Sequence, residues 1–384
     1  MLAQAICGAR LFTGSAFLDH HAVVVSSGKV DRVCPENDLD SSIPRLPLPG
    51  GILAPGFIDL QVNGGGGVLF NNAPTVASLE TMSAAHRTGG TTALLPTVIT
   101  DETAVRERAL EAVTSAISDG LDCVLGVHFE GPFLDNKRRG VHSETQVRPI
   151  NDEDIAWLQS ISNCRVMLTL APEHVAPGQI EELARSGIIV CAGHSGGSYE
   201  QTNAAIAEGL SGFTHLFNAM SPLGGRNPGM VGAALASTSC WCGIIVDGFH
   251  VHPANVSLAF RALPRGKLYL VSDSMATVGA TEKSFELYGE TIEEKDGRLV
   301  NHAGRLAGSA ISLIDAVRTA HRDARIPLEE CLRMASLYPA EFIGEAVRRG
   351  RIEAGYRADL VHFDEQFRVL NTWVGGEQRP HNTE

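Results

Sequence analysis

The chain has 384 residues, a formal charge of −13, and 44% hydrophobic and 20% charged residues, the balance of an ordinary folded protein. That length fits one large domain or two smaller ones, with room for a sizeable buried core. The acidic balance argues against nucleic acid or an anionic membrane surface as partners, while a small anionic substrate, which feels only local charge, stays open.

The opening MLAQAICGARLF has neither a basic segment nor a sustained apolar run, so no signal peptide is expected. No later apolar run approaches the length that crosses a bilayer. Residues 1–53 read as β-type segments punctuated by Gly, Asp and Pro, without a convincing helix. From there the pattern alternates. Eight strand candidates occupy 56–62, 91–99, 123–130, 165–172, 188–194, 212–219, 242–250 and 267–273, near-continuous apolar runs of the kind buried on both faces. Amphipathic helical stretches such as SLETMSAAHRTGG and GQIEELARSG separate most of them, several closing on glycine. Eight strand-then-helix units predict an α/β fold, a (β/α)₈ TIM-like barrel, with an open doubly wound sheet as the rival. The eighth unit is interrupted at 284–300 by a hairpin turning at Asp296-Gly297, and two helices follow. The last stretch is again β-rich. The expected domains are therefore a small β-sandwich from 1–53 plus 346–384 and a barrel over 54–345. Eight scattered cysteines without a CxxC pair suit reduced thiols in a cytoplasmic protein.

Four of the apolar runs stop on residues able to hold a metal or move a proton: Glu130, His194, His215 and Asp273. In a barrel, the C-terminal ends of the strands are where such groups gather. One carboxylate and two imidazoles suit zinc or ferrous iron, and three protein ligands leave a position open for water. Water activated there needs a neighbour to take its proton and later return it to a leaving group, and Asp273 is placed for both tasks. Taken alone, each of these residues would read as a hydrogen-bonded core histidine or a turn-capping aspartate.

The segments HFEGPFL, GHS, THLFNAM, DGFH, SDSMATVG and LAGS, with APGFIDLQVNG near the start and GRIEAGYRADLV near the end, resemble the N-acetylglucosamine-6-phosphate deacetylase family of the amidohydrolase superfamily over nearly the whole chain. The resemblance implies a (β/α)₈ barrel beside a small β-sandwich built from both termini. It also implies metal-dependent removal of acetate from N-acetyl-D-glucosamine 6-phosphate, with one divalent cation per subunit held by Glu130, His194 and His215. Zinc is the first expectation and Fe²⁺ the second. Asp273 would act as base and then acid, and His142, in RRGVHSE, would polarise the acetyl carbonyl. Asn218 and Ala219 would meet the sugar phosphate. Arg226 and His250 would contact the phosphate from the neighbouring subunit of a homodimer.

Many superfamily members carry His-x-His at the end of the first strand and bind two metals. Here those positions read Gln61 and Asn63, poor ligands for zinc, so a single metal is expected, with Gln61 touching it through water. His128 shares a strand face with Glu130 and is expected to support or pack rather than ligate, and Glu173 carries no assignment. The glycine run 63–67 lacks nucleotide-fingerprint spacing and is expected to form a flexible loop at the site. Two other functions remain: a different cyclic-amide hydrolase or deaminase on the same barrel, and a barrel kept only as a scaffold.

Overall fold

Eight parallel strands, each hydrogen-bonded to the next in chain order, make the central sheet of the computed structural model, which describes residues 3–379. They are β1 Phe57–Val62, β2 Thr91–Ile99, β3 Val127–Glu130, β4 Val166–Leu170, β5 Ile189–Ala192, β6 Gly212–Phe213, β7 Trp241–Ile245 and β8 Leu268–Val271. The sheet closes into a barrel between β8 and β1. Val62 bridges Ser274 in parallel, the Asp273 N–H donates to the Gln61 carbonyl at 3.0 Å, and the Asn63 N–H donates to that of Ser274 at 2.9 Å. Strands buried on both faces explain the unbroken apolar runs: every residue of β1 and β2 is buried.

Helices wrap the outside. Val76–Arg87, Thr103–Ser118, Asp152–Ser160, Gln179–Arg185, Tyr199–Ala207, Gly229–Ala236 and Pro253–Ala262 form α1 to α7, and Leu313–Arg322, Leu328–Ala335 and Leu337–Phe342 form α8 to α10. Several starts are written locally. Asn151 and Ser198 each close a capping box, the side chain accepting from the third helical N–H while that residue reaches back. The second of the two expected C-terminal helices is split, because Ser336, at φ −132° and ψ −70°, leaves helical geometry between α9 and α10.

The terminal segments pack as two sheets. A four-stranded sheet uses Gln4–Cys7, His21–Ser26, Lys29–Pro35 and Arg45–Pro47. A six-stranded sheet joins Arg10–Phe12, Phe17–Leu18 and Ile52–Pro55 to Leu360–Phe363, Val369–Val374 and Glu377–Arg379. Leu360–Phe363 runs antiparallel to Ile52–Pro55, so the two ends of the chain meet by direct backbone pairing. Ile6, Val23 and Val25 of one sheet share a core with Leu11, Leu53, Leu360 and Trp373 of the other. Residues 1–2 and 380–384 of the expected terminal segments lie outside the described residues.

Four further expectations need adjusting. The third strand begins at Val127, not 123, since Val124 makes only an isolated bridge to Leu94. The sixth is two residues long, because the chain turns at His215 to aim that side chain inward. The hairpin at 284–300 does turn at Asp296-Gly297, but it belongs to a four-stranded antiparallel insert of Ser284–Leu287, Glu290–Lys295, Arg298–Val300 and Leu306–Ser309. The Ser309 N–H donates to the Asp273 carbonyl at 2.8 Å, which binds the insert to the end of β8. The glycine run is packed rather than open. Gly64–Gly65 pair with Val68–Leu69, and a methyl on Gly64 would lie 2.3 Å from the Val68 carbonyl oxygen. Among the described residues, no helix is long and apolar enough to cross a membrane.

Candidate active site

Glu130 ends β3, while His194, His215 and Asp273 each follow the last residue of β5, β6 and β8 by two positions. The last three all adopt left-handed backbone, at φ +49°, +35° and +52°. For residues with a Cβ this conformation costs roughly 1–3 kcal/mol each, and it persists where the surroundings impose it, typically at functional sites. The sharp turn swings each side chain over the barrel mouth. His194 Nε2 lies 3.0 Å and His215 Nε2 2.9 Å from Oε1 of Glu130, and the two Nε2 atoms are 2.9 Å apart. All three residues are buried. Burial alone would raise the Glu130 pKa, but its bonds to the two imidazoles pull it well below the usual carboxylate range.

This donor set fits a divalent cation. His194 Nδ1 sits 2.8 Å from the Arg138 carbonyl oxygen, a bond the ring makes as an N–H donor, so its Nε2 presents a lone pair toward Glu130 and His215. Among the described residues this is the one cluster of three or more His, Cys, Asp or Glu side chains close enough to share an ion.

Asp273 approaches from the opposite side of the mouth. Its Oδ1 accepts from Asn63 Nδ2 at 2.7 Å and Gln61 Nε2 at 3.0 Å, and the same Gln61 nitrogen lies 3.2 and 3.3 Å from the two Glu130 oxygens. Gln61 thus donates to both carboxylates and Asn63 to that of Asp273. Burial, with Glu130 nearby, pushes the Asp273 pKa up to about 6. Below them Asp59 is fully buried. Its Oδ1 accepts from the N–H groups of Gln61 and Ser272 at 3.3 and 3.2 Å, its Oδ2 has no partner among the described residues, and burial pushes its pKa up to about 7.

A cavity of about 190 Å³ opens above this cluster, lined by Glu130, His142, His194, His215, Asn218, Ala219, His250 and Asp273 together with apolar Ile99, Val141, Met275 and Leu306. The sequence-derived candidates, Arg226 and Gln61 aside, therefore converge on one chamber. His142 packs against His194 with the rings tilted at 55° and their centroids 4.4 Å apart, and burial, reinforced by His194, pushes its pKa down to about 3. His250 lines the cavity of its own chain, where its Nδ1 lies 2.6 Å from Asp247 Oδ2. Asp247 Oδ1 in turn accepts from the Phe249 and His250 N–H groups, both at 2.8 Å. Arg226 is exposed on its loop and takes no part in lining this cavity.

His128 is buried between hydroxyls, with Nε2 2.7 Å from Thr169 Oγ1 and Nδ1 3.4 Å from Thr97 Oγ1, and burial pushes its pKa down to about 4. It supports the barrel interior as a neutral ring. Glu173 gains a role: Ser195 Oγ and the Gly196 N–H both donate to it at 2.6 Å, which pins the turn immediately after His194. Asp247, Asn63 and Glu173 were not singled out for these roles from the sequence. The i, i+3 spacing of Asp247 and His250 within DGFH is the one local signal that pointed to such a pair.

Residues 52–379 match the amidohydrolase family, and residues 4–53 match the NagA composite domain. The chain belongs to the amidohydrolase family. Over 375 residues, 96% of this chain and 94% of the other, it is 42% identical to an N-acetylgalactosamine-6-phosphate deacetylase of Shewanella sp. (strain ANA-3). It is 36% identical to an N-acetylglucosamine-6-phosphate deacetylase of Haemophilus influenzae, covering 96% and 97% of the two chains. The crystal structure of an N-acetylglucosamine-6-phosphate deacetylase from Pasteurella multocida superposes with a TM-score of 0.96 at 38% identity, covering 98% of this chain and 100% of that one. A Mycobacterium smegmatis deacetylase mutant in complex with N-acetyl-D-glucosamine-6-phosphate superposes at 0.90, with 28% identity and coverage of 98% and 99%.

Proposed function

We propose that this protein is a metal-dependent hydrolase that removes the acetyl group of N-acetyl-D-glucosamine 6-phosphate, yielding D-glucosamine 6-phosphate and acetate. The observation that carries the reading is the meeting of Glu130, His194 and His215 opposite a buried, amide-held Asp273, in a chain whose relatives along its full length are sugar-phosphate deacetylases.

Glu130, His194 and His215 would hold the cation, with zinc favoured by the nitrogen-rich set. When bound, such an ion supplies Lewis acidity and lowers the pKa of water from about 16 toward 7. Asp273 takes the water proton as oxygen attacks the acetyl carbon, and later returns it to the departing amine. Its restraint by Gln61 and Asn63 through one oxygen leaves the other free for that transfer. His142 meets the charge developing on the acetyl oxygen, where a preorganised donor is worth most. His250 and the Asn218-Ala219 turn hold the sugar phosphate, and remote binding of this kind contributes to positioning. The exposure of Arg226, away from its own cavity, supports its service to a second copy in a homodimer, where its fork suits phosphate. We assign 1–53 with 346–384 to the sandwich and 54–345 to the barrel on the strength of the sheet that joins both ends. A cytoplasmic setting agrees with free thiols at all eight cysteines.

A second reading has its own support. The relative that shares 42% identity is named for the C4 epimer, N-acetylgalactosamine 6-phosphate. The test is acetate release from both epimers and from unphosphorylated N-acetylglucosamine, with and without chelator. Turnover that needs phosphate and metal supports the proposal, and the ratio of kcat/KM between epimers decides which sugar is preferred. Equal turnover of the unphosphorylated sugar, or none of either phosphate, overturns it.

A further inference from the structure

Thr100 directly follows β2 and faces His142, and neither its sequence context nor any motif marks it. Its backbone N–H lies 3.2 Å from His142 Nδ1, and its hydroxyl oxygen is 2.8 Å from the same atom. A peptide N–H is always a donor, so Nδ1 must present a lone pair to it. The hydroxyl's one proton has two acceptors in reach, the Glu130 carbonyl oxygen at 3.3 Å and Nδ1 at 2.8 Å, and the shorter bond is to Nδ1. A neutral imidazole carries one proton, and with Nδ1 occupied by two donors that proton belongs on Nε2.

The arrangement around Thr100 is built to hold it there. Gly131, the residue after Glu130, has φ +87°, and a methyl at that position would lie 2.3 Å from Thr100 Oγ1. Only glycine lets the hydroxyl in. On the other side the Tyr288 hydroxyl, at the tip of the first hairpin of the insert, donates to the Thr100 carbonyl. Asn71 bonds both the N–H and the carbonyl of Ile99, at 3.0 and 2.9 Å, fixing the residue just before.

We infer that Thr100 is a positioning residue that fixes His142 as the Nε2–H tautomer, a neutral donor within the cavity, and that Tyr288 ties this arrangement to the insert. His142 is then committed to stabilising oxygen charge and cannot act as a base through Nδ1. The inference rests on the role given to His142 in the proposed function, and it names what prepares that residue for it.

Two measurements test it. In zinc-loaded protein labelled with ¹⁵N-histidine at neutral pH, with the His142 signal assigned by its loss in His142→Gln, the proton is expected on Nε2. In Thr100→Val, kcat is expected to fall by about 10-fold, the lower end of the effect of removing a group that fixes a histidine tautomer, with KM within about two-fold. Thr100→Ser, which keeps the hydroxyl, should retain kcat within about two-fold, and Tyr288→Phe should lower it in the same direction as Thr100→Val. A proton on Nδ1 in the wild type, or wild-type kcat in folded, metal-loaded Thr100→Val, overturns the inference; if that variant does not fold, an unchanged kcat in Tyr288→Phe refutes the link to the insert and the nitrogen spectrum alone decides the tautomer. The spectrum needs no turnover, so failure of the wild type to release acetate would sink the proposed function while the tautomer result stands apart.

Discussion

Asn63 Nδ2 lies 2.7 Å from Oδ1 of Asp273, so an amide just past the first strand of the barrel grips the carboxylate just past the last. The grip fixes one oxygen and leaves chemistry to the other. Asp273→Asn is nearly isosteric but cannot accept a proton, and turnover is expected to fall by about 10³-fold or more, within the range for loss of a general acid–base group. Metal content should be unchanged, because Glu130, His194 and His215 remain. Elemental analysis beside kcat checks both halves of the prediction.

The acid limb of kcat/KM follows from the same residue. Asp273 must be ionised to take a proton, and burial beside Glu130 holds its pKa up to about 6 in the metal-free site. A nearby cation draws a carboxylate pKa downward. Activity of the loaded enzyme is therefore expected to fall as the pH drops through a value at or below about 6, with full activity above it. A rate profile with its acid limb near 8 would contradict this.

Removing the metal should cost stability as well as turnover. Two imidazoles and a buried carboxylate converge within 3.0 Å of one another, an arrangement that a shared cation stabilises. Restoring zinc to about 100 times its Kd is expected to add about 2.7 kcal/mol to folding. Differential scanning calorimetry of chelated and reloaded protein should register a higher Tm for the latter. Glu130→Gln should abolish that difference.

Asp247 is expected to show itself in KM. Among the described residues it is the one hydrogen-bond partner of His250 Nδ1, at 2.6 Å, and both side chains are buried. Asp247→Asn removes a charge-assisted bond worth about 1.5 kcal/mol, which corresponds to about a 10-fold rise in KM for the phosphorylated substrate. With the acetyl group and the metal untouched, kcat should change little. A variant that loses kcat with KM intact would place Asp247 elsewhere in the mechanism.

Asp59 makes stability depend on pH. Its folded pKa, pushed up to about 7 by burial, lies above the value of about 3.9 for an unfolded aspartate. A raised folded pKa means the folded state holds its proton more tightly. The associated stability is complete below about pH 4 and is lost as the pH rises toward 7. Asp59→Asn has no such proton, so its Tm relative to the wild type should improve from pH 5 to pH 8. Parallel Tm curves would refute the assignment.

Much of this was legible beforehand because barrels impose a strict pattern. Strands buried on both faces must be apolar throughout, and the runs before Glu130, His194, His215 and Asp273 are interrupted only where side chains turn toward the mouth. The left-handed turns at His194, His215 and Asp273 left no trace in the letters, since no glycine marks them. Thr100 and Asp247 were invisible for a related reason: a threonine after a strand and an aspartate in a turn are common, and only the folded chain brings Thr100 to a ring 42 positions away. Strand ends blurred where apolar residues continue past the ladder, as at 123–126 and 214–219. The fourth strand of the insert, Leu306–Ser309, was missed because it is short and pairs across a five-residue gap.

The barrel's point of closure separates two capacities of the enzyme. The proposed ligands of the cation all end or follow strands in the arc from the third to the sixth, whereas the proposed proton carrier follows the eighth and is tethered to residues at the end of the first. A molecule transiently unzipped at that junction would keep its ion yet lose its activity, so breathing there would act as a silent off-state that metal analysis alone would never register.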